Sequence, residues 1–227
     1  EKTNVYLCMF TLIQMNMKRI CTLTLLLFST LFLFAQRPYF CITEGTTLEY
    51  ENYGQTGNID GYFRMDIRQV SGIDGNYTIT YMMYPFNPDH TPSFDPEEMN
   101  IAIKDGALSA MFGSVSLMKV TGDVPVIPSR MAVGQELDGG LMKISAMGLN
   151  FTAEILSHKV IGREELNTPA GTFKCYIVEM VTQSQVLMQK VVSTTRQWYA
   201  RGIGSVKTET FDDKGNMTSS QLLININ

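Results

Sequence analysis

Histidine is almost missing from this sequence, with two residues, His90 and His158, in 227. Cysteine is scarce at four, and tryptophan occurs once. A metal centre needs His, Cys or carboxylate ligands clustered at motif spacing. Neither histidine has such neighbours: His90 follows Asp89 in a proline-rich stretch and His158 ends a strand-like run, so both read as solvent-facing. Serine catalysis needs a hydroxyl activated by a base, often on a G-x-S-x-G elbow, and no such elbow occurs. The adjacent carboxylates Glu97-Glu98, Glu164-Glu165 and Asp212-Asp213 would point to opposite faces of a strand, which makes them poor acid–base pairs. Gly202-Ile203-Gly204-Ser205-Val206-Lys207 looks like a phosphate loop, but such a loop works at a helix N-terminus, and a strand-like run follows it here. The sequence therefore assigns no catalytic residue, no metal ligand and no cofactor, and it reads as a non-enzymatic protein.

Charge is also sparse, at 18% of residues with a net of −4. What the N-terminus has instead is apolar bulk. Met17-Lys18-Arg19 makes a short basic start, Ile20 to Phe34 is an uncharged Leu- and Phe-rich run, and Ala35-Gln36 ends it, the arrangement of a bacterial secretory signal. The run is shorter than the roughly 20 residues that span a bilayer; an uncleaved anchor is the other reading, and the only contact with a membrane that the chain would make. The chain starts with Glu1, while Met15 and Met17 are natural initiators, so residues 1–14 read as an upstream extension, 15–36 as the signal peptide and 37–227 as one domain. Cys41 follows Arg37-Pro38-Tyr39-Phe40 rather than small residues, so a lipid anchor is not expected there. From residue 37 onward, 15 Lys and Arg stand against 21 Asp and Glu, a net charge of −6. An acidic domain without a basic stripe is no partner for nucleic acid.

Removal of the leader takes Cys8 and Cys21 and leaves Cys41 and Cys175. Two cysteines in an oxidising compartment suggest one structural disulfide between the start of the domain and an interior strand. Two buried free thiols are the alternative.

From residue 46 the dominant period is two. Phe63, Met65 and Ile67 alternate with Arg64, Asp66 and Arg68, and Tyr77, Ile79, Tyr81 and Met83 with Thr78, Thr80 and Met82, the pattern of half-buried antiparallel strands. Turn residues such as Gly72-Ile73-Asp74-Gly75, Asp105-Gly106 and Asp212-Asp213-Lys214-Gly215 punctuate the runs. Strands are expected at 46–53, 60–70, 76–84, 99–104, 107–112, 124–127, 141–147, 149–161, 172–184, 186–199, 203–212 and 217–226. No segment carries a helical stripe. Many short hairpin-linked strands imply an all-β domain, a single antiparallel curled sheet, half-barrel or sandwich-like. Glu51–Asn58 echoes Glu209–Asn216, each a strand end, an aromatic, a polar loop and Gly-Asn, which hairpins reusing one turn chemistry would explain.

Two stretches lack strand character. One runs from Phe112 to Gly140; the other holds Pro85, Phe86, Pro88, Pro92, Phe94 and Pro96 and reads as an extended loop excluded from the middle of a sheet. Long loops in compact domains are often functional, and this one is a candidate binding loop. Met65, Met83, Met111, Met118, Met131, Met142, Met147, Met180 and Met188 supply an adaptable apolar lining that serves either as core filling or as a groove for an acyl chain or apolar peptide.

The segment Asn167-Thr168-Pro169-Ala170-Gly171-Thr172-Phe173-Lys174-Cys175-Tyr176, followed by Gln197-Trp198-Tyr199-Ala200-Arg201-Gly202-Ile203-Gly204-Ser205-Val206-Lys207-Thr208-Glu209, resembles the TapB-like family of exported Gram-negative proteins, related to an uncharacterised periplasmic β-domain family. Ile127-Pro128, Val133–Leu137, Cys41 and Gly45–Tyr50 extend the likeness over residues 41–226, while the proline loop departs from it. The resemblance implies an exported all-β domain of the periplasm or cell exterior, without an established activity, and it adds weight to the Cys41–Cys175 bridge. The motif residues have structural readings of their own: Pro169 and Gly171 form a turn, Phe173, Trp198 and Tyr199 anchor a core, and Gly202 and Gly204 permit a tight corner. The function expected is binding of an apolar ligand or a hydrophobic protein segment, with lipid and envelope protein as the partner classes; the competing expectation is a structural or assembly component of the envelope.

Overall fold

A strand whose alternate residues are apolar is stable only when that face is covered. In a computed structural model, which describes residues 37–109, 118–146, 149–186 and 189–227, the cover comes from a β-sheet curled on itself and from two segments without regular structure. The strands are β1 (Thr47–Gly54), β2 (Ile59–Ile73), β3 (Asn76–Phe86), β4 (Glu97–Lys104), β5 (Ala107–Ser109), β6 (Met118–Gly122), β7 (Val126–Ile127), β8 (Gly140–Ala146), β9 (Leu149–Thr168), β10 (Gly171–Val186), β11 (Gln189–Ala200), β12 (Gly204–Phe211) and β13 (Met217–Ile226). All thirteen belong to one antiparallel sheet in the order β6-β8-β9-β10-β11-β12-β13-β1-β2-β3-β4-β5-β7. The fold is the all-β curled sheet that the alternation predicts, and its two ends, β6 and β7, do not pair, so it is not a closed barrel. The described residues contain no helix. The upstream extension and signal peptide expected in residues 1–36 lie outside the described residues, as do Met111, Met147 and Met188.

Register shifts at Asn52/Tyr53, Ile67/Gln69, Ile177/Val178 and Trp198/Tyr199 each set an extra residue into one strand. Such bulges bend a strand and increase its twist, and they curl the sheet around one apolar cluster. Leu48, Ile67, Ile79, Val160, Val206 and Leu223 are fully buried in it. A smaller cluster of Met142, Ala153 and Ile155 lies under β8 and β9.

Two segments without regular structure bridge the arms of the sheet. Residues 37–42 lie against both. The ring of Tyr39 meets Tyr176 and Tyr199 edge-on at 6.3 and 6.4 Å, while Phe40 packs on Tyr81 at 5.9 Å. The corner between β11 and β12 seats this segment. Gly202 N–H donates to Pro38 O at 2.7 Å, Arg201 lies 4.5 Å over the Tyr39 ring, and its Nη1 donates to Arg37 O at 2.9 Å. The second segment follows β7. Gly134 N–H donates to Val160 O (2.7 Å), Val160 N–H to Gln135 O (2.9 Å) and Leu137 N–H to His158 O (2.8 Å), which binds the connection to the edge of β9.

Four expectations are corrected. The disulfide is absent: Cys41 and Cys175 are free, buried thiols, and each has its own backbone acceptor, Thr43 O at 3.9 Å and Phe173 O at 3.5 Å. His158 is not solvent-facing but 3% exposed, because the post-β7 connection covers it and its Nδ1 pairs with Asp138 O at 3.0 Å. The proline stretch is not a loop throughout. Pro85 and Phe86 end β3, opposite Phe63 and Tyr62, and Phe86 bridges back to Pro92; Pro85 keeps its carbonyl in the pairing, where it accepts from Ser93 N–H at 3.1 Å. Strand β6 also falls inside the 112–140 stretch that reads as irregular, since a strand of five residues is too short for alternation to register.

Candidate functional site

The described chain makes the same turn three times. Gly54 N–H donates to Asn58 O and Gly57 N–H to Gly54 O; Asp212 and Gly215 repeat the pair with Asn216 and Asp212; Asn87 and His90 repeat it with Thr91 and Asn87. This is a three-residue loop whose last residue takes a left-handed conformation. Gly57 (φ 78°) and Gly215 (φ 80°) occupy that position in two copies, and His90 (φ 63°) in the third. Glycine accepts positive φ without steric cost, whereas a residue with a Cβ loses about 1 kcal/mol there.

The strained residue has a contact the glycines cannot make. The imidazole of His90 stacks on Tyr62 with centroids 4.1 Å apart and planes 22° apart. The two rings form one wall of a cleft of about 220 Å³ whose other sides are Phe86, Arg64, Glu49 and Ile224. Tyr62 and Phe86 are direct cross-strand partners on β2 and β3. Gly61 (φ 153°) lets the strands close up beside them, since a Cβ there would stand 2.5 Å from Phe86 O. Arg64 lies 4.2 Å over the Tyr84 ring, and its Nε is 3.3 Å from Asp66 Oδ1. Asp66 is itself held by Thr47 Oγ1 (3.0 Å) and Arg68 Nη2 (3.0 Å), and Arg68 also donates to Tyr84 Oη at 2.7 Å. Hydrogen bonds from the Thr91 hydroxyl and N–H hold the Asp89 carboxyl below the usual carboxylate range, which pins the turn that carries His90. Phe94, just beyond, is 75% exposed.

Of the six residues of the candidate binding loop, Phe86 lines this cleft. Pro85 is paired in β3 beside it, and Pro88, Pro92, Phe94 and Pro96 are solvent-exposed around the turn. Tyr62, Arg64 and His90 were not legible as site residues. The one available signal was the repeat of the 51–58 and 209–216 turns, which the residues after Phe86 continue without their glycine.

The other motif residues lie away from the cleft. Pro169 and Gly171 turn the chain between β9 and β10, where Ala170 N–H donates to Thr168 Oγ1 at 3.1 Å. Phe173 packs half-buried against the core. Trp198 Nε1 donates to Glu164, and Lys207 Nζ lies 4.6 Å over its ring. Tyr199, Gly202 (φ 72°) and Gly204 (φ 112°) make the corner that receives Tyr39 and Phe40. An inner cavity of about 160 Å³ remains beside that plug, lined by Tyr39, Phe40, Tyr50, Phe63 and Tyr199 among others. Among the described residues no group of three or more His, Cys, Asp or Glu is placed to hold a metal.

Comparison with known proteins agrees with this architecture. The model of the DUF3108-like family matches residues 43–223; the finer TapB-like likeness is not part of that match. No curated protein matches the chain. A crystal structure from Bacteroides fragilis, described as an exported protein with a YmcC-like fold, superposes with a TM-score of 0.71 at 19% identity, over 84% of this chain and 99% of that one. A second, from Parabacteroides distasonis and described as a lipoprotein, gives 0.72 at 20% identity, over 85% and 99%. At these identities the likeness is one of fold.

Proposed function

The chain belongs to the DUF3108-like family, and from that premise we propose that it is an exported, non-enzymatic envelope protein that holds an apolar side chain of a partner protein in the cleft between Tyr62, Phe86 and His90. One observation carries this reading: His90 occupies a left-handed position that glycine fills in both sister turns, and the strain is offset by its stack on Tyr62. Strain kept where a cheaper residue would serve is a mark of a functional site. The size of the cleft supports a protein segment over a free lipid. At about 220 Å³ it lies below the roughly 300–1,000 Å³ of a small-molecule pocket and suits one or two side chains. The inner cavity, at about 160 Å³, is smaller again because Tyr39 and Phe40 fill the hollow of the sheet. Arg64, fixed over Tyr84, offers the partner's backbone a donor at the rim.

Export is supported by the leader and by the descriptions of the two structural neighbours. Lipidation at Cys41 is not, since that thiol is 2% exposed within the core. The test is native mass spectrometry of the protein taken from its own host. A stoichiometric protein partner is expected, lost on Tyr62→Ala and on His90→Gly. His90→Gly is the sharper variant, because relief of backbone strain leaves the unfolding midpoint equal or higher while the stack disappears. A retained lipid mass with no protein partner would sink this reading in favour of an apolar-ligand carrier.

A further inference from the structure

The two ends of the curled sheet carry different chemistry. The three sister turns, and the aromatic cleft with them, lie at one end of β12, β13, β1, β2 and β3, and the corner that seats residues 37–42 lies at the other. Strand β12, eight residues long, sets these ends about 26 Å apart. Four of the seven arginines that follow residue 36 gather at the corner end: Arg37, Arg130, Arg163 and Arg201. Arg201 joins three parts there. Its Nη1 donates to Arg37 O and its Nη2 to Ser129 O, both at 2.9 Å, and its guanidinium covers the Tyr39 ring. Arg130 follows Ser129, and Arg163 lies 5.5 Å over the Tyr176 ring that Tyr39 meets edge-on. Arg37, Arg130 and Arg163 are exposed. The three arginines elsewhere are ion-paired, Arg64 and Arg68 with Asp66 and Arg196 with Glu179, whereas Arg37, Arg130 and Arg163 have no ion pair among the described residues.

The acids on the same elements do not cancel this charge. Glu136 is 2.9 Å from Lys159, Glu164 accepts from Trp198 Nε1, and Glu165 stands opposite Lys174 on the β9–β10 pair. Asp105, on the turn beside Ser129, and Asp138, further along the post-β7 connection, remain against four guanidiniums. Val133, on the same connection as Arg130, is 60% exposed. Guanidiniums take phosphate oxygens as paired acceptors while their stems lie along apolar surface, so arginines around an exposed aliphatic side chain suit a layer of phospholipid headgroups. The path of the chain favours that occupant over an acidic protein. Arg37 and Pro38 are tied to the corner through their carbonyls. The apolar run ends at Phe34, three residues upstream, which is at most about 10 Å of extended chain. A membrane that receives the run therefore meets this corner first. We propose that the arginine corner is a membrane-facing surface that docks the domain on anionic phospholipid headgroups and leaves the aromatic cleft at the far end of the sheet, directed away from the bilayer.

Residues 36–227 form one compact unit, so the exported form without its leader is the protein to test. Flotation with vesicles of phosphatidylglycerol and phosphatidylcholine in equal parts is compared with flotation on phosphatidylcholine alone. Capture by the anionic vesicles and not by the neutral ones is expected at low salt, with loss at about 0.5 M salt as the surface charge is screened. Arg130→Gln and Arg163→Gln should each weaken partitioning about fivefold, the share of one basic side chain at an anionic surface. Both residues are exposed, so these changes spare the core. Lys214→Gln makes the same charge change on the β12–β13 turn at the far end and should leave capture unchanged. Inorganic phosphate at matched ionic strength should not compete. Equal capture by neutral vesicles, or equal loss in Lys214→Gln, overturns the assignment. So does displacement by inorganic phosphate, which would mean that the arginines hold a single anion. Retention on immobilised polyglutamate without capture by anionic vesicles would also overturn it, and would give the corner to an acidic protein.

Discussion

Cys41 and Cys175 behave as small apolar side chains, since each is buried and bonded to a carbonyl of its own neighbourhood. Burial, with the nearby charge of Glu164, pushes the Cys175 thiol from its ordinary 9.0 up to about 11. A raised value means that the folded state prefers the neutral thiol. Its contribution to stability is whole below pH 9 and is lost as pH climbs towards 11. Tyr81, pushed by burial up to about 12, extends the loss upward. The thermal midpoint should therefore fall steadily from pH 9 to 12, and Cys175→Ala should flatten the lower half of that fall. In the folded protein at pH 8, iodoacetamide should leave Cys175 unmodified, and after denaturation it should label both thiols. A non-reduced mass two daltons low would contradict the free-thiol state. Sequence reasoning could count the thiols but not find their acceptors, Thr43 O and Phe173 O, which exist only once the backbone has turned. His158 was opaque for the same reason: the carbonyl that makes its burial tolerable, Asp138 O, lies on a connection 20 residues upstream.

Among elements, the strands were the legible part. Period-two patterning fails only where a strand is too short to repeat, as in β6, or where polar residues sit on both faces, as in the outer stretch of β9 through Arg163, Glu164 and Glu165. Turns were half legible. Asn-containing loops at 54–58 and 212–216 announced themselves by glycine, whereas the third copy hid behind prolines that suggested a loop without pairing. The acidic residue in two of these turns gives a pH signature. Asp212 is held low by the Asn216 side chain and N–H and then by Lys214 N–H, and Asp89 is held low by the Thr91 hydroxyl and N–H. A lowered carboxyl stabilises the turn above its ordinary titration range and ceases to do so as pH falls through the lowered value. Amide protection factors at Thr91 and Asn216, corrected for the intrinsic pH dependence of exchange, should fall below about pH 4, near the ordinary carboxyl range, and that at Asn58, whose turn has no carboxylate anchor, should not. Equal loss of protection at all three would place the acid sensitivity in the whole sheet rather than in these turns.

For the whole molecule, the decisive feature is that an open sheet has been made into a closed core by chain that is not sheet. Tyr39 and Phe40 are 1% and 7% exposed, and they touch β10 and β11 on one arm and β3 on the other. Nothing in residues 37–42 alternates, so periodicity could not mark them as core; their burial follows from a hollow that exists only after thirteen strands have curled. The family match begins at residue 43, just past this plug, which makes the plug's energetic share a direct question. Removal of a buried aromatic costs about 3–5 kcal/mol, a large fraction of the 5–15 kcal/mol that keeps a domain folded. Tyr39→Ala should therefore lower the unfolding midpoint steeply, and a chain starting at Thr43 should lose cooperative unfolding. Tyr39→Phe should act in the opposite sense. The Tyr39 hydroxyl is buried with no hydrogen-bond partner among the described residues, and an unsatisfied buried hydroxyl costs about 1–3 kcal/mol, so its deletion should leave the protein as stable or more so. Urea unfolding of the three variants separates the terms: a plug that contributes by packing predicts loss for Tyr39→Ala and none for Tyr39→Phe, whereas equal loss in both would mean that the hydroxyl, and not the ring, ties the arms of the sheet together.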